Sequence, residues 1–174
     1  MSHKSNKDAE QIFKALSAFD EVIHPKEEVP SKVAFSELYA YATNPAHDAS
    51  PALKAALSTD FSLHRDLRRL LEKQAIVHMP RAAAASSGEI SQREADGFKL
   101  TLKPSKASAD QVYLLIQAID RDESPTLMFV QEADGPIHRL VIEDFYDGEA
   151  QILLRAGDDI VKALRKAQSD VILR

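Results

Sequence analysis

Strict alternation of apolar and polar residues begins at the stretch Phe98-Lys-Leu-Thr-Leu-Lys103. Alternation with a period of two is typical of a β-strand that has one buried face and one solvated face. Before residue 80 the apolar residues recur instead every three or four positions, which is typical of amphipathic helices. This change of period predicts an α+β fold with two segregated parts, a helical N-terminal part and a β C-terminal part.

The β part, residues 98–174, contains further short apolar runs separated by turn residues. The dipeptides Asp134-Gly135 and Asp147-Gly148 are favoured in tight hairpin turns. Asp158 is placed to cap a short helix that extends to about Ala167. We predict an antiparallel β-sandwich or barrel with one short helix. Its predicted strands are Phe98–Lys103, Val112–Ile119 (apolar on both faces, as in a central strand), Leu127–Val130, Ile137–Ile142, Ala150–Leu154 and Val171–Leu173.

The apolar periodicity of the helical part, residues 1–80, predicts a small bundle of four short helices. Ser31, Ser50 and Asp60 (or Thr59) are suitable N-caps, and Pro51 stands at a favoured first helical position. Asn44-Pro45 ends the second helix because proline disfavours helix in the residue before it. The predicted inward stripes are Ile12, Phe13, Leu16 and Phe19; Phe35, Leu38, Tyr39 and Ala42; Leu53, Ala56 and Leu57; and Leu63, Leu67, Leu70 and Leu71.

Residues 81–97 separate the two parts and contain almost no large apolar side chain. Such a segment buries too little apolar surface to offset the entropy lost on ordering, so it predicts a flexible, Ala/Ser-rich linker. Alanine is also the best helix former, so its four alanines could instead extend the preceding helix by one turn. The sequence therefore predicts a helical domain (1–80), a linker (81–97) and an antiparallel β domain (98–174).

The composition gives little support to catalysis, cofactors or metals. There is no cysteine, and no two of the six histidines are close enough in sequence to form a zinc motif on a helix. None of the five glycines stands in a phosphate-binding pattern. The net charge of −5 disfavours direct nucleic-acid binding. We expect neither an enzyme nor a metal or cofactor site, although scattered acidic residues and histidines leave an assembled active site as a minor alternative.

The chain has no run of about 18 apolar residues of the kind that spans a membrane, and its N-terminus is too polar for a signal peptide. We therefore expect a cytoplasmic protein that does not bind membranes. The sequence does not decide the oligomeric state.

Two segments resemble a known family. The runs Phe35-Ser-Glu-Leu-Tyr-Ala-Tyr-Ala42 and Ser50-Pro-Ala-Leu-Lys-Ala-Ala-Leu-Ser-Thr-Asp-Phe-Ser-Leu-His-Arg-Asp-Leu-Arg-Arg-Leu70 are similar to the helical domain of bacterial anti-sigma factors. Many members carry a His-x3-Cys-x2-Cys zinc motif, but Ala56, Asp60 and Leu63 occupy the corresponding positions here. The resemblance thus implies a zinc-free regulator whose helices sequester an extracytoplasmic-function sigma factor.

The helical periodicity marks candidate contacts for such a partner. They lie on the second and fourth predicted helices: Phe35, Leu38, Tyr39, Arg65, Arg68 and Arg69. The alternative is a two-domain adaptor or scaffold that binds another protein through its β domain. In that case the C-terminal strand Val171–Leu173 would be available for edge pairing, and the linker would be a site for a protease.

Overall fold

The computed structural model describes residues 33–81, 89–133 and 135–174. The predicted first helix, the Ser31 cap and residues 82–88 of the predicted linker lie outside these residues. The described part of the chain contains four helices and eight strands, which confirms an α+β fold. They are α1 (Phe35–Thr43), α2 (Pro51–Thr59), α3 (Phe61–Gln74), β1 (Val77–Met79), β2 (Gln92–Ala95), β3 (Phe98–Pro104), β4 (Gln111–Ala118), β5 (Leu127–Gln131), β6 (Ile137–Val141), β7 (Glu149–Arg155), α4 (Asp159–Arg165) and β8 (Asp170–Leu173).

The strands form two antiparallel sheets of four strands each. The first sheet has the order β1-β8-β5-β6 and the second has the order β2-β3-β4-β7. The pairing of β5 with β6 confirms the hairpin expected from Asp134-Gly135, although Asp134 itself lies outside the described residues. Asp147-Gly148 also forms the expected turn, with positive φ angles of 51° and 77°.

Two of the predicted helix starts are confirmed. The Ser50 Oγ accepts a hydrogen bond from the backbone N–H of Leu53 at 3.1 Å, and Pro51 is the first residue of α2. At α3 the Asp60 carboxylate accepts hydrogen bonds from the N–H groups of Ser62 and Leu63 at 2.9 and 3.2 Å. These contacts satisfy donors that have no partner within the helix.

Alternate residues of β5 pack into two different hydrophobic cores. Met128 and Val130 lie in a core with buried residues of both sheets, such as Phe98. Leu127 and Phe129 lie in a second core with apolar side chains of α1, α2 and α3, which together we call the helical layer. The first sheet therefore packs against the helical layer through one set of alternate residues and contributes the other set to the core shared with the second sheet.

The predicted separation into two domains differs from the structure. The described residues belong to a single compact unit, Lys32–Arg174. Val77–Met79, in the predicted helical domain, pairs with the C-terminal strand β8. The physical reason is that the apolar faces of the helices are buried against Leu127, Phe129 and Ile172 of the first sheet and not only against one another.

The predicted linker also extends too far. Its residues Gln92–Ala95 form β2, which pairs with β3. The connecting residues Asp96 and Gly97 both have positive φ angles, 47° and 80°. This two-residue turn matches the twist of a hairpin, so Asp96-Gly97 is a hairpin signal that the linker interpretation overlooked.

Two expectations about the strands are also corrected. Strand β8 lies between β1 and β5, so Val171–Leu173 is not a free edge. Strand β4 is central in its sheet but is buried on one face only, because Tyr113 and Leu115 lie on a half-exposed outer face.

Two arginines of the first sheet bind the end of α1. The Arg139 Nη2 donates to the carbonyls of Asn44 and Pro45 at 2.8 and 3.3 Å, and its guanidinium lies 5.1 Å from the centre of the Tyr41 ring. The Arg174 Nη1 donates to the carbonyl of Thr43. Both cations lie at the negative end of the helix dipole, so they stabilise the attachment of α1 to the sheet.

Candidate protein-binding surface of the helical layer

Helix α1 has a different inner face from the predicted one. Leu38, Tyr41 and Ala42 are buried, whereas Phe35 and Tyr39 are 68% and 44% exposed. Tyr41 takes the inward place expected for Tyr39 because its ring packs edge-on against Phe129 of β5, with centroids 6.0 Å apart. Leu38, only 1% exposed, is a core residue and is not accessible to a partner in the folded protein.

Phe35 and Tyr39 form an exposed aromatic pair on α1. Their ring centroids are 6.4 Å apart, as expected for side chains four residues apart on a helix. Both remain available as partner contacts.

The three arginines predicted as contacts on α3 have different environments. Arg65 and Arg69 are exposed and make no ion pair with any residue that the structure describes. Arg68 is half-buried, with its Nε 2.9 Å from Glu72 and its Nη2 3.5 Å from Asp170. Arg68 therefore ties α3 to β8, whereas Arg65 and Arg69, like Lys73 in the last turn, have no ion-pair partner among the described residues.

Phe61 is an exposed aromatic residue that the sequence-based contact set omitted. Its side chain is 91% exposed at the start of α3. Because Phe61, Arg65 and Arg69 follow one another at intervals of four, they form a stripe on the solvent side of the helix. The signal was present in the sequence, since Phe61 lies outside the inward positions Leu63, Leu67 and Leu71.

A groove of about 420 Å³ lies beside this stripe, between the corner that joins α2 to α3 and the β5–β6 hairpin. We call it the α3–hairpin groove. The described residues that line it are Leu57, Ser58, Thr59, Asp60, Phe61, His64, Gln131, Ala133, Gly135 and Pro136.

Two polar side chains of the groove have unusual environments. Burial, assisted by the nearby Arg68 cation, lowers the pKa of His64 below its ordinary value, so the imidazole is neutral at pH 7. Gln131, on β5, is only 9% exposed, and its amide makes no hydrogen bond to the described part of the chain. The amide atoms of Gln131 keep contact with the solvent of the groove, so the side chain offers a ligand both a hydrogen-bond donor and an acceptor.

A buried carboxylate lies next to the groove. Asp170 pairs with Gln131 across the first sheet. It accepts a hydrogen bond from the backbone N–H of Arg81 at 3.1 Å, and its Oδ2 lies 3.3 Å from the Arg81 Nε. The His78 Nε2 is 3.8 Å from its other oxygen. Since these partners and Arg68 belong to different elements, Asp170 joins α3, β1 and β8 and does not form an open catalytic site.

A second charged cluster lies just beyond the same end of β5. The Glu132 carboxylate forms an ion pair with Lys166, and its Oε1 is 3.5 Å from the His138 Nε2. The hydrogen bond and charge of Lys166 first, and then the contact with His138, lower the pKa of Glu132. The cluster links the β5–β6 hairpin to the residue that follows α4.

Within residues 33–81, 89–133 and 135–174, no three histidine or acidic side chains come close enough together to hold a metal ion. The same residues include no helix with the length and apolar character needed to span a membrane. Comparison of the chain with models of protein families, with curated proteins and with solved structures gave no match in any of the three. The proposals below therefore rest on the geometry and on the resemblance seen in the sequence.

Proposed function

We propose that this chain is a regulatory protein-binding protein that holds its partner on the helical layer. Following the resemblance, the proposed partner is a sigma factor, which the chain would sequester in the cytoplasm without catalysing a reaction. The observation that carries the proposal is the exposure of three aromatic rings, Phe35, Tyr39 and Phe61, on helices whose leucines are all buried or half-buried.

Exposed aromatic rings support protein binding because each leaves a large apolar area in water. Aromatic and arginine side chains are enriched among the residues that contribute most to protein interfaces. The helical layer supplies both, with the pair Phe35–Tyr39 on α1 and the stripe of Phe61, Arg65 and Arg69 on α3.

The rigidity of the layer supports the same role. The helices are anchored to the first sheet by a shared core and by hydrogen bonds from Arg139 and Arg174 to the end of α1. A surface fixed in this way loses little conformational entropy when a partner binds.

Affinity capture from the native cells, followed by binding measurements with the purified pair, tests this proposal. The full chain is compared with the double variant Phe35→Ser/Tyr39→Ser and with the control Tyr146→Ser, which alters another exposed aromatic residue (84%) away from the helices. We expect the wild type and the control to bind the same protein, and the double variant to bind it at least tenfold more weakly. Equal binding by all three proteins would contradict the proposal. A bound protein other than a sigma factor would reject the sigma-factor partner but would leave protein binding on the helical layer supported.

The second candidate function is an adaptor that binds a protein through the β part, which we take to be a sandwich of the two sheets. It is favoured by β7, which among the described strands pairs only with β4 and so is the outer strand of the second sheet. Its outward side chain Leu153 is 49% exposed and lies opposite Tyr113. An added strand would pair with this edge.

The variant Leu153→Pro distinguishes the two candidates because proline removes a backbone N–H and hinders pairing at the edge. Under the first proposal this variant keeps the captured partner, provided that its thermal unfolding shows a folded protein. Under the adaptor proposal it loses the partner, while the double variant of α1 keeps it.

A further inference from the structure

We infer that the α3–hairpin groove binds an extended acidic segment of the partner protein, with one apolar side chain inserted beside Phe61. This inference rests on the proposed function and specifies the partner chemistry for one part of the helical layer. Three observations carry it: the amide of Gln131, which makes no hydrogen bond to the described residues, the shape and lining of the groove, and the unpaired cations of α3.

The first observation concerns hydrogen bonding. Gln131 lines the groove with an amide that has no hydrogen-bond partner in the described part of the chain. An amide presents a donor and an acceptor side by side, and one residue of an extended segment presents its own N–H and C=O on the same side as the complementary pair. A bound backbone would satisfy both halves of the Gln131 amide at once.

The lining of the groove favours a polypeptide over a small anion. The N–H groups of Ser62 and Leu63 at the start of α3, which could otherwise hold an anion, are already bonded to the Asp60 carboxylate. The neutral imidazole of His64 adds no positive charge. The remaining surface includes Leu57, Pro136 and the exposed ring of Phe61, which suit an apolar side chain.

The charge of the segment follows from the stripe that flanks the groove. Arg65 and Arg69 have no ion pair among the described residues, whereas the nearby Arg68 is neutralised by Glu72 and Asp170. Two unpaired cations beside an apolar groove complement acidic residues that flank an apolar anchor. Nucleic acid fits less well because the negative charge on each of its phosphates would far exceed what two unpaired cations neutralise.

A displayed library of random 12-residue peptides, selected on the full chain, is the probe. Enriched peptides are synthesised, and their affinities are measured for the wild type, Gln131→Leu, Phe61→Ala and the double variant Arg65→Glu/Arg69→Glu. Tyr146→Ala is the control for loss of an exposed aromatic ring, and Lys99→Glu/Lys103→Glu is the control for charge reversal elsewhere.

We expect the enriched peptides to carry an apolar residue flanked by Asp or Glu. Their affinity should fall tenfold or more in each groove variant and should stay within twofold in both controls. Gln131→Leu should also unfold at about the same temperature as the wild type or at a higher one, because the amide that it removes makes no hydrogen bond to the described residues. Loss of peptide affinity without loss of stability separates a binding role for Gln131 from a structural one.

The inference is overturned if no peptide is enriched, or if the enriched peptides bind Gln131→Leu and Phe61→Ala as tightly as the wild type. The partner obtained by affinity capture with the full chain then distinguishes the groove inference from the proposed function. If that partner still depends on Phe35 and Tyr39, only the groove inference fails. If no partner depends on them, the proposed function fails as well.

Discussion

Arg93 of β2 lies inside the fold and makes no direct ion pair among the described residues. Its guanidinium donates to the carbonyls of Ser169 at 2.8 Å and of Leu164 at 3.4 Å, and also to that of Lys166. Burial lowers the pKa of Arg93, and the nearby Asp170 opposes this shift. A guanidinium remains charged despite such a shift, so Arg93 acts as a positive cap for the carbonyl end of α4.

The variant Arg93→Met tests whether Arg93 stabilises the fold by capping the carbonyl end of α4. Methionine keeps much of the side-chain volume but removes the guanidinium from three carbonyls, of which that of Lys166 keeps the Ser169 N–H as a donor, so we expect the free energy of unfolding to fall by about 2–3 kcal/mol. The control Arg69→Met removes an exposed arginine that has no ion pair among the described residues, and it should change stability by less than about 0.5 kcal/mol. Urea unfolding of both variants measures the difference, and equal stabilities would contradict this role for Arg93.

His64 makes the stability of the protein depend on pH. Because burial and Arg68 lower its pKa in the folded state, the unfolded chain binds a proton more readily than the folded protein does. Stability therefore falls as the pH decreases through about 6.5, the ordinary pKa of histidine.

The comparison of His64→Gln with the wild type isolates this effect, because glutamine does not titrate. Between pH 7.5 and pH 5.5 we expect the wild type to lose more unfolding free energy than the variant does, as followed by urea unfolding at each pH. Parallel pH profiles would show that His64 titrates alike in the folded and unfolded states.

At the scale of the element, the inner and outer faces of α1 are separated by a single residue step. Leu38 and Tyr39 are adjacent in sequence, yet one is in the core and the other is 44% exposed. Successive residues point about 100° apart on a helix, so a stripe assigned by spacing alone is easily rotated by one position. The contact between Tyr41 and Phe129 determines the rotation, and Phe129 is distant in sequence.

Alanine substitutions at Leu38 and Tyr39 test which of the two belongs to the inner face of α1. Leu38→Ala should cost about 2–5 kcal/mol because it leaves a cavity among the buried residues of the helical layer. Tyr39→Ala should cost less than about 1 kcal/mol because its ring is largely in water and alanine favours helix. Thermal and urea unfolding measure both variants, and a larger cost at Tyr39 would reverse the assignment of the inner face.

Local signals in the sequence predicted several elements well. Ser50-Pro51 and Asp60 marked the helix starts, and alternation from Phe98 onward marked β3. The missed strand β2 has no run of large apolar residues, since its inward side chain is the charged Arg93. The sequence signal for this hairpin is the turn Asp96-Gly97, whereas the residue pattern of β2 itself does not indicate a strand.

At the scale of the whole molecule, the helices and strands form one unit. The first sheet contributes side chains to the cores on both of its faces, and β1, which directly follows the helical layer in sequence, pairs with the last strand. The sequence showed where the hydrophobic period changes. It could not show that Leu127, Phe129 and Ile172 cover the helices, because such long-range contacts leave no mark on local periodicity.

Cleavage of the chain between residues 81 and 89 tests whether the helices and strands form one structural unit. With an engineered protease site placed there, we expect the two fragments to elute together from a gel-filtration column after cleavage, since β1 pairs with β8 and the helices pack on the first sheet. They should separate only in denaturant. Separate elution in native buffer would favour the two independent domains that the sequence suggested.

For the site, the sequence predicted the exposed pair Phe35–Tyr39 and the cations Arg65 and Arg69 as contacts. It omitted Phe61 and Gln131, and it included the buried Leu38 and the paired Arg68. Gln131 could not be found from the pattern, because its burial and its lack of a hydrogen-bond partner arise from the α3–hairpin groove, which forms only in the folded protein.

Photo-crosslinking in the native cell tests the central claim, protein binding on the helical layer, most directly. A photoreactive phenylalanine analogue is placed at Phe61 in one strain and at Tyr146 in another, both positions being more than 80% exposed. We predict a discrete covalent adduct with one protein from position 61 and none from position 146. The same adducts from both positions, or no adduct from position 61, would contradict the account.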